Sequence, residues 1–186
     1  MFQVRIHGRG GQGVVTAAEL LSVAAFREGK HAQAFPSFGS ERMGAPVVAF
    51  CRIDDHEIRS REPVMQPDAI IIQDPTLFHS VDVFAGLKPD GYILVNTTRD
   101  FEALGIDEFV AGFPEGHART VAATELAVSL VGRPIPNAAL LGGFAAETGE
   151  ISLDAVKSAI KERFPGTLGE KNMAAASAAY EAVTAA

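Results

Sequence analysis

The stretch "IHGRGGQGVVTAAELL", residues 6–21, decides the fold. The end of an apolar strand runs into a loop dominated by glycine, and an amphipathic helix starts at once. Val14, Ala17, Ala18, Leu21 and Ala25 recur at spacings of three and four, so they share one helical face, and Gly29 is a natural stop. Gly8-Arg9-Gly10-Gly11-Gln12-Gly13 satisfies G-x-G-x-x-G after a strand and before a helix, the context in which that pattern has physical meaning. On this reading Gly8 permits the tight turn, Gly10 lets the backbone touch a ligand, and Gly13 lets the helix lie close to the sheet. The helix N-terminus offers unpaired N–H groups and about half a positive charge, for which a diphosphate is the natural guest.

Outward from this junction, strands are expected at 2–7, 31–35, 46–53, 69–73 and 92–96, with a short antiparallel return at 56–59 and a last strand near 119–121. "AIIIQ" and "YILVN" are apolar throughout, the mark of strands covered on both faces. Helices are expected at 14–28, 77–84, 123–131, 137–147, 153–163 and 171–183, with Asn137 and Ser152 as N-caps. Residues 36–44, with a proline and two glycines, read as loop. Strands alternating with helices imply an α/β fold: a three-layer α/β/α arrangement with a Rossmann-like glycine loop and a helical C-terminal part. The 46–59 hairpin implies that the sheet is mostly parallel and partly mixed. No repeat or linker interrupts the chain, so residues 1–186 read as a single domain.

Composition narrows the function. With 16 basic and 23 acidic residues the net charge is −7, which argues against a nucleic-acid or anionic-membrane surface. Any phosphate site must be local. One cysteine, Cys51, allows no internal disulfide, in keeping with a reducing cytoplasm, and one thiolate cannot hold an iron–sulfur cluster. Mid-strand between Phe50 and Arg52, it reads as packing. The five histidines have no metal-like spacing. Arg5 and Arg9 interrupt the only early apolar run, so no signal peptide is expected, and no stretch has the length of a membrane span. No catalytic residues and no metal site are assigned.

The glycine loop has rival readings. A nicotinamide or flavin site wants an acid at the end of the second strand, and "HAQAFPSFG" has none. No Lys-Ser/Thr follows the glycines, so this is not a P-loop. The glycines also suit a tight strand–helix crossing with no ligand. In an open α/β sheet the 36–44 loop would line the same crevice, so Ser37, Ser40, Glu41 and Arg42 are candidates to face the glycine loop. Arg42 would suit a phosphate, or pair with Glu41. Phe35 and Phe38 suit a stacked base or the core, and His7 a ligand contact or a hydrogen-bonded strand end.

Four segments occur in order: "GRGGQGVVTAAELLSVAA" at 8–25, "PSFGSERMGAPVVAFCRI" at 36–53, "PNAALLGGFA" at 136–145 and "KNMAAASAAYE" at 171–181. Together they resemble the gamma subunit of 2-oxoacid:ferredoxin oxidoreductases, the pyruvate/ketoisovalerate group especially, over nearly the whole chain. The resemblance implies a multi-subunit enzyme that converts a 2-oxoacid and coenzyme A to acyl-CoA, CO2 and a reduced acceptor. It implies thiamine diphosphate, Mg and iron–sulfur clusters on alpha, beta and delta partners, with ferredoxin or an NAD-reducing subunit as acceptor. This chain, not catalytic alone, would help to bind coenzyme A through Gly8, Arg9, Gly10, Gly11, Gln12 and Gly13, with charge from Arg42 and a hydrogen bond from Ser37. Coenzyme A has a diphosphate and no nicotinamide ribose, which agrees with the missing acid. Relatives often carry two arginines in "GxERRGAP", where this chain has Arg42-Met43. The rivals are a scaffold subunit that binds nothing, with "NMAAASAAYEAVTAA" as an interface helix, and an independent dinucleotide-binding oxidoreductase.

Overall fold

The computed structural model describes residues 1–37 and 42–186. Six strands form one sheet: β1 (Phe2–Arg9), β2 (His31–Pro36), β3 (Pro46–Asp54), β4 (Ala69–Ile72), β5 (Tyr92–Asn96) and β6 (Ala118–Val121), in the order β2-β3-β1-β4-β5-β6. β1, β4, β5 and β6 are mutually parallel, whereas β3 runs antiparallel to both β1 and β2. The sheet is therefore mostly parallel and partly mixed, as expected, but for a different reason. Residues 56–59 form no strand; the reversed strand is β3 itself. Arg52 holds the chain beyond it instead, donating to the Glu62 carbonyl at 2.5 Å and to the Gln3 side chain at 2.9 Å.

One face of the sheet carries the regular helices: α1 (Val14–Arg27), α4 (Ala123–Leu130), α5 (Asn137–Thr148), α6 (Leu153–Arg163) and α7 (Thr167–Ala185). Val4, Ile6, Ala49, Cys51, Ile71 and Leu94 point into that layer and meet Leu21, Leu141, Phe144 and Ala176. Ser152 caps α6 as expected, accepting from the Ala155 N–H at 3.1 Å. Asn137 does not cap α5; it is the helix's first residue, after Pro136.

The opposite layer is thin. Residues 77–84 do not form the expected helix. Asp74 caps a short 3-10 helix, Pro75–His79, and turns follow it. Two four-residue helices that the sequence did not suggest, α2 (Phe101–Leu104) and α3 (Asp107–Val110), complete the cover. Over β4 and β5 this layer is apolar, with Ile70, Ile72, Ile93 and Val95 against Leu77 and Val83. Over β1 it is polar, because Val4-Arg5-Ile6-His7 alternates and a strand sends alternate residues to opposite faces. Arg5 is 7% exposed and donates to the carbonyls of Val64 (3.4 Å), Val83 (3.0 Å) and Ala85 (2.6 Å).

Arg5 also donates from Nε to Nε2 of His7 at 3.0 Å, which fixes that imidazole as neutral. Burial, with the Arg5 charge beside it, pushes the His7 pKa down to about 3. A pKa depressed on folding leaves the unfolded chain holding more protons below the ordinary value of 6.5. Stability is thus full above about pH 6.5 and falls toward pH 3 by about 1.4 kcal/mol per pH unit. Urea unfolding of parent and His7→Gln between pH 6.5 and 4.5 checks this. The variant should lose that slope, and an unchanged slope would assign it to other groups.

Candidate functional site

The glycine loop is braced at almost every residue. Gln12 folds back so that its Oε1 accepts from the Arg9 N–H at 2.8 Å, while its Nε2 donates to Asp74 Oδ2 at 2.9 Å and its carbonyl accepts from Gln73 at 2.9 Å. Arg9 donates to Thr76 Oγ1 at 3.0 Å and to the Gly44 carbonyl at 3.1 Å, and its Nε lies 3.3 Å from Asp74 Oδ2. Burial works to raise the Asp74 pKa, but hydrogen bonds from Thr76 and Gln12 and the Arg9 charge outweigh it and hold the carboxyl below its ordinary value. Behind this, Asn96 at the end of β5 donates to the Gln73 carbonyl and to Thr124, each at 2.8 Å. The loop is thus fastened to the carboxyl ends of β4 and β5.

The glycines divide into two kinds. Gly8 lies inside β1 opposite Val47, and a Cβ there would stand 2.5 Å from Val14. So Gly8, not Gly13, admits the close strand–helix approach. Gly10 touches protein: a Cβ would lie 2.0 Å from the Arg42 carbonyl oxygen, and its N–H is spent on Ala45 O at 2.8 Å. A Cβ at Gly11 or Gly13 would also meet protein, the side chains of Met43 and Asn137, but these two differ in their backbone. Both have positive φ, 91° and 72°, and among the described residues neither amide donates a hydrogen bond. Gly13 starts α1 with no side-chain cap, so the first amides of the helix have no intrahelical partner and no side-chain cap among the described residues.

The second loop does meet the first, by a route other than the expected one. β2 is not beside β1; β3 intervenes, and the chain entering β3 brings Met43 into a bridge with Gly10. Arg42 is exposed, its carbonyl accepting from Ala45 at 3.0 Å. Ser37 bonds Val48 on the far side of β3, about 9–10 Å from β1. Ser40, Glu41 and Phe38 lie outside the described residues. Phe35 packs on Phe50 with ring centroids 5.1 Å apart, and Arg52 covers it. Cys51 is fully buried, and burial pushes its thiol up.

A cavity of about 250 Å³ is lined on one side by Gly11 and Gly13. Its walls bring together Thr16 of α1, Val131, Arg133 and Ile135 before α5, and Arg163, Phe164 and Leu168 where α6 ends and α7 begins. Asn137 closes its base, donating to the Gly13 carbonyl at 3.4 Å. Two exposed arginines therefore flank an uncapped helix N-terminus beside an apolar wall, an arrangement suited to an anion joined to an apolar body. Sequence reasoning missed Arg133 and Arg163. "GRPIPN" at 132–137, a turn running straight into a helix, was the one local signal. It also missed Asp74 and Asn96, polar residues where apolar strands stop. Among the described residues no group of three or more His, Cys, Asp or Glu converges as metal ligands, and no helix is long and apolar enough to cross a membrane.

Three comparisons bear on this arrangement. The family model for pyruvate ferredoxin/flavodoxin oxidoreductase matches residues 3–182. The chain is 49% identical over 183 residues to pyruvate synthase subunit PorC of Methanothermobacter thermautotrophicus, covering 98% of this chain and 96% of that one. It is 50% identical over 180 residues to the pyruvate/ketoisovalerate oxidoreductases common subunit gamma of Thermococcus kodakarensis, covering 97% and 96%. Among solved structures, pyruvate oxidoreductase subunit PORC of Thermotoga maritima superposes with a TM-score of 0.81 at 37% identity, over 97% of this chain and 95% of that one.

Proposed function

The chain belongs to the pyruvate ferredoxin/flavodoxin oxidoreductase family, and from that premise we propose that it is the gamma subunit of a 2-oxoacid oxidoreductase complex, in which it holds coenzyme A. The observation that carries the coenzyme A assignment is the cavity at the N-terminus of α1. The Gly11 and Gly13 amides, unpaired among the described residues, and the flanking Arg133 and Arg163 fit the ligand's phosphates, and the apolar wall fits its organic part. A cavity of about 250 Å³ takes only part of so long a molecule, leaving the thiol end free to extend toward another chain. Gly8, Arg9, Gly10 and Gln12 act here as the frame that aims the two free amides. Arg42, exposed beside Gly10, adds positive charge at the rim.

This chain supplies position and no proton-transfer group, an entropic contribution to catalysis. Thiamine diphosphate, with its Mg, and the iron–sulfur clusters belong to alpha, beta and delta partners. The single, fully buried cysteine here cannot ligate a cluster. Ferredoxin, or an NAD-reducing subunit, takes the electrons. The chain acts as one domain, residues 1–186, in the cytoplasm, and needs neither nucleic acid nor membrane.

Titration of the isolated chain and of the assembled complex with coenzyme A and with NAD(H) tests the assignment. Coenzyme A should bind the complex, and Arg133→Ala or Arg163→Ala should each weaken it by about 1–2 kcal/mol, the worth of one exposed charge-assisted contact. Affinities equal to the parent's would remove this cavity from the site. Binding of neither ligand would leave a scaffold, and tight NAD(H) binding by the lone chain would make it an independent oxidoreductase.

A further inference from the structure

The sheet ends on one side at β2, and the bonding of β3 shows what that edge presents. Antiparallel strands exchange their N–H···O bonds at every second residue. Gly10 donates to the Ala45 carbonyl at 2.8 Å and Ser37 to the Val48 carbonyl at 2.9 Å, so β3 turns its odd-numbered residues toward β1 and its even-numbered ones toward β2. His31, Gln33 and Phe35 therefore spend their backbone groups on β3. Ala32, Ala34 and Pro36 turn theirs outward, and among the described residues nothing meets those of Ala32 and Ala34. Open edges are ordinarily blunted by brevity or charge. β6, the other edge, is four residues long and carries Arg119, whereas β2 has six residues and no Asp, Glu, Lys or Arg. The β2 edge also has an apolar flank. α1 rests on β2 and β3, and its Arg27 turns to Glu162 of α6. On the flank away from α6, Val15, Ser22 and Phe26 fall in line at spacings of seven and four, with Glu19 the only charged residue among them. Phe26 is 73% exposed.

We propose that this edge pairs, antiparallel, with the same edge of a second copy of this chain, about a two-fold axis at Gln33. Self-complementarity selects the second copy. The free run is short, bounded by Pro36, which has no N–H, and by Lys30, whose N–H is spent on Ala25. With Ala32 of one copy opposite Ala34 of the other, and the reverse, every outward donor and acceptor of both alanines is used. Those backbone bonds do not by themselves outweigh the cost of association. The same axis supplies the rest: it sets the two α1 helices side by side and antiparallel on one face of a continuous sheet, where Phe26 leaves water against the other copy's α1. The pairing is independent of what the glycine loop binds.

The test uses the full chain, which should sediment as a dimer. Gln33→Cys puts a thiol on the axis, opposite its own copy in a pair whose Cα atoms stand about 4.5 Å apart, within disulfide reach. Mild oxidation should join two copies of that variant and none of the parent, whose Cys51 is buried. Ala34→Pro removes a donor that β3 does not use, and Phe26→Lys charges the flank at a helix end that suits a cation; each should raise the dimer dissociation constant about ten-fold or more. Val128→Lys, at an exposed apolar residue of α4, should leave it unchanged. Diluted to monomer, the Phe26→Lys chain should melt with the parent, which separates lost pairing from lost folding even where Ala34→Pro folds poorly. A parent that is monomeric at every concentration, or a Gln33→Cys chain that stays unjoined, overturns the proposal. So does a dimer that Ala34→Pro and Phe26→Lys both leave intact, which would put the contact elsewhere. If the lone chain is monomeric and Ala34→Pro releases another subunit from the complex, the edge holds a foreign strand, and the second copy is ruled out.

Discussion

Arg5→Met should lower folding stability by about 3–5 kcal/mol, the range for stripping a buried charge of its partners or its partners of the charge. The side chain sits inside the thin layer, nearly out of contact with water, and three carbonyls from two separate segments converge on it. Methionine fills much of the same space and donates nothing. The carbonyls of Val64, Val83 and Ala85 would each lose a charge-assisted bond, and His7 would lose the donor that fixes its tautomer. The segments joined by Arg5 have no regular helix to hold them otherwise. Urea denaturation should therefore show a lower midpoint, and limited proteolysis should cut first between residues 60 and 90. A loss below about 1 kcal/mol would mean that those carbonyls find other donors when the layer relaxes.

Gly142→Val should be worse, costing about 4 kcal/mol or more and leaving little soluble protein. α5 and α7 cross so closely that a Cβ at Gly142 would lie 2.0 Å from the Ala176 carbonyl oxygen and 2.6 Å from its carbon. Those are backbone atoms of a helix, which cannot rotate aside as a side chain does, so the two helices would have to part. Gly143→Ala is the control. A Cβ there meets only side chains, at 3.4 Å from Leu94 and Val183, and alanine is the better helix former by about 1 kcal/mol. Melting temperatures should separate the neighbours clearly; similar values for both would show that the crossing has slack.

The parts of this fold that could be read from the sequence are those whose signal is local. The β1–α1 junction, the apolar runs of β4 and β5, and α5 and α6 were legible because strand and helix periods show within ten residues. Strand order was not. That β3 slips between β2 and β1 depends on pairings such as Val4 with Cys51, which no window contains. At 77–84 the apolar residues suggested a helix, yet they are spaced by the surface of β4 and β5 that they cover, and Asp74-Pro75 permits only a single tight turn. α2 and α3 are too short to show a period.

The site divides the same way. The glycine pattern gave the ligand contact to Gly10 and the close helix approach to Gly13, and close backbone contact satisfies the pattern equally well. Gly10 faces the Arg42 carbonyl, while the Gly11 and Gly13 amides donate to nothing among the described residues. Arg133 and Arg163 reach the same cavity from chain positions far from the loop, brought there by the packing of α5, α6 and α7. Nothing near them in the sequence announces a shared destination.

The brace made by Gln12, Asp74 and Arg9 has one more consequence. A glycine-rich segment left to itself samples many shapes, and a guest that froze it would give up binding free energy to do so, about 1–2 kcal/mol for each residue ordered. Here that freezing is completed when the chain folds. On the proposed coenzyme A reading, an incoming phosphate would meet donors already in their final directions, and a mutation that frees the loop would weaken affinity without removing a single contact.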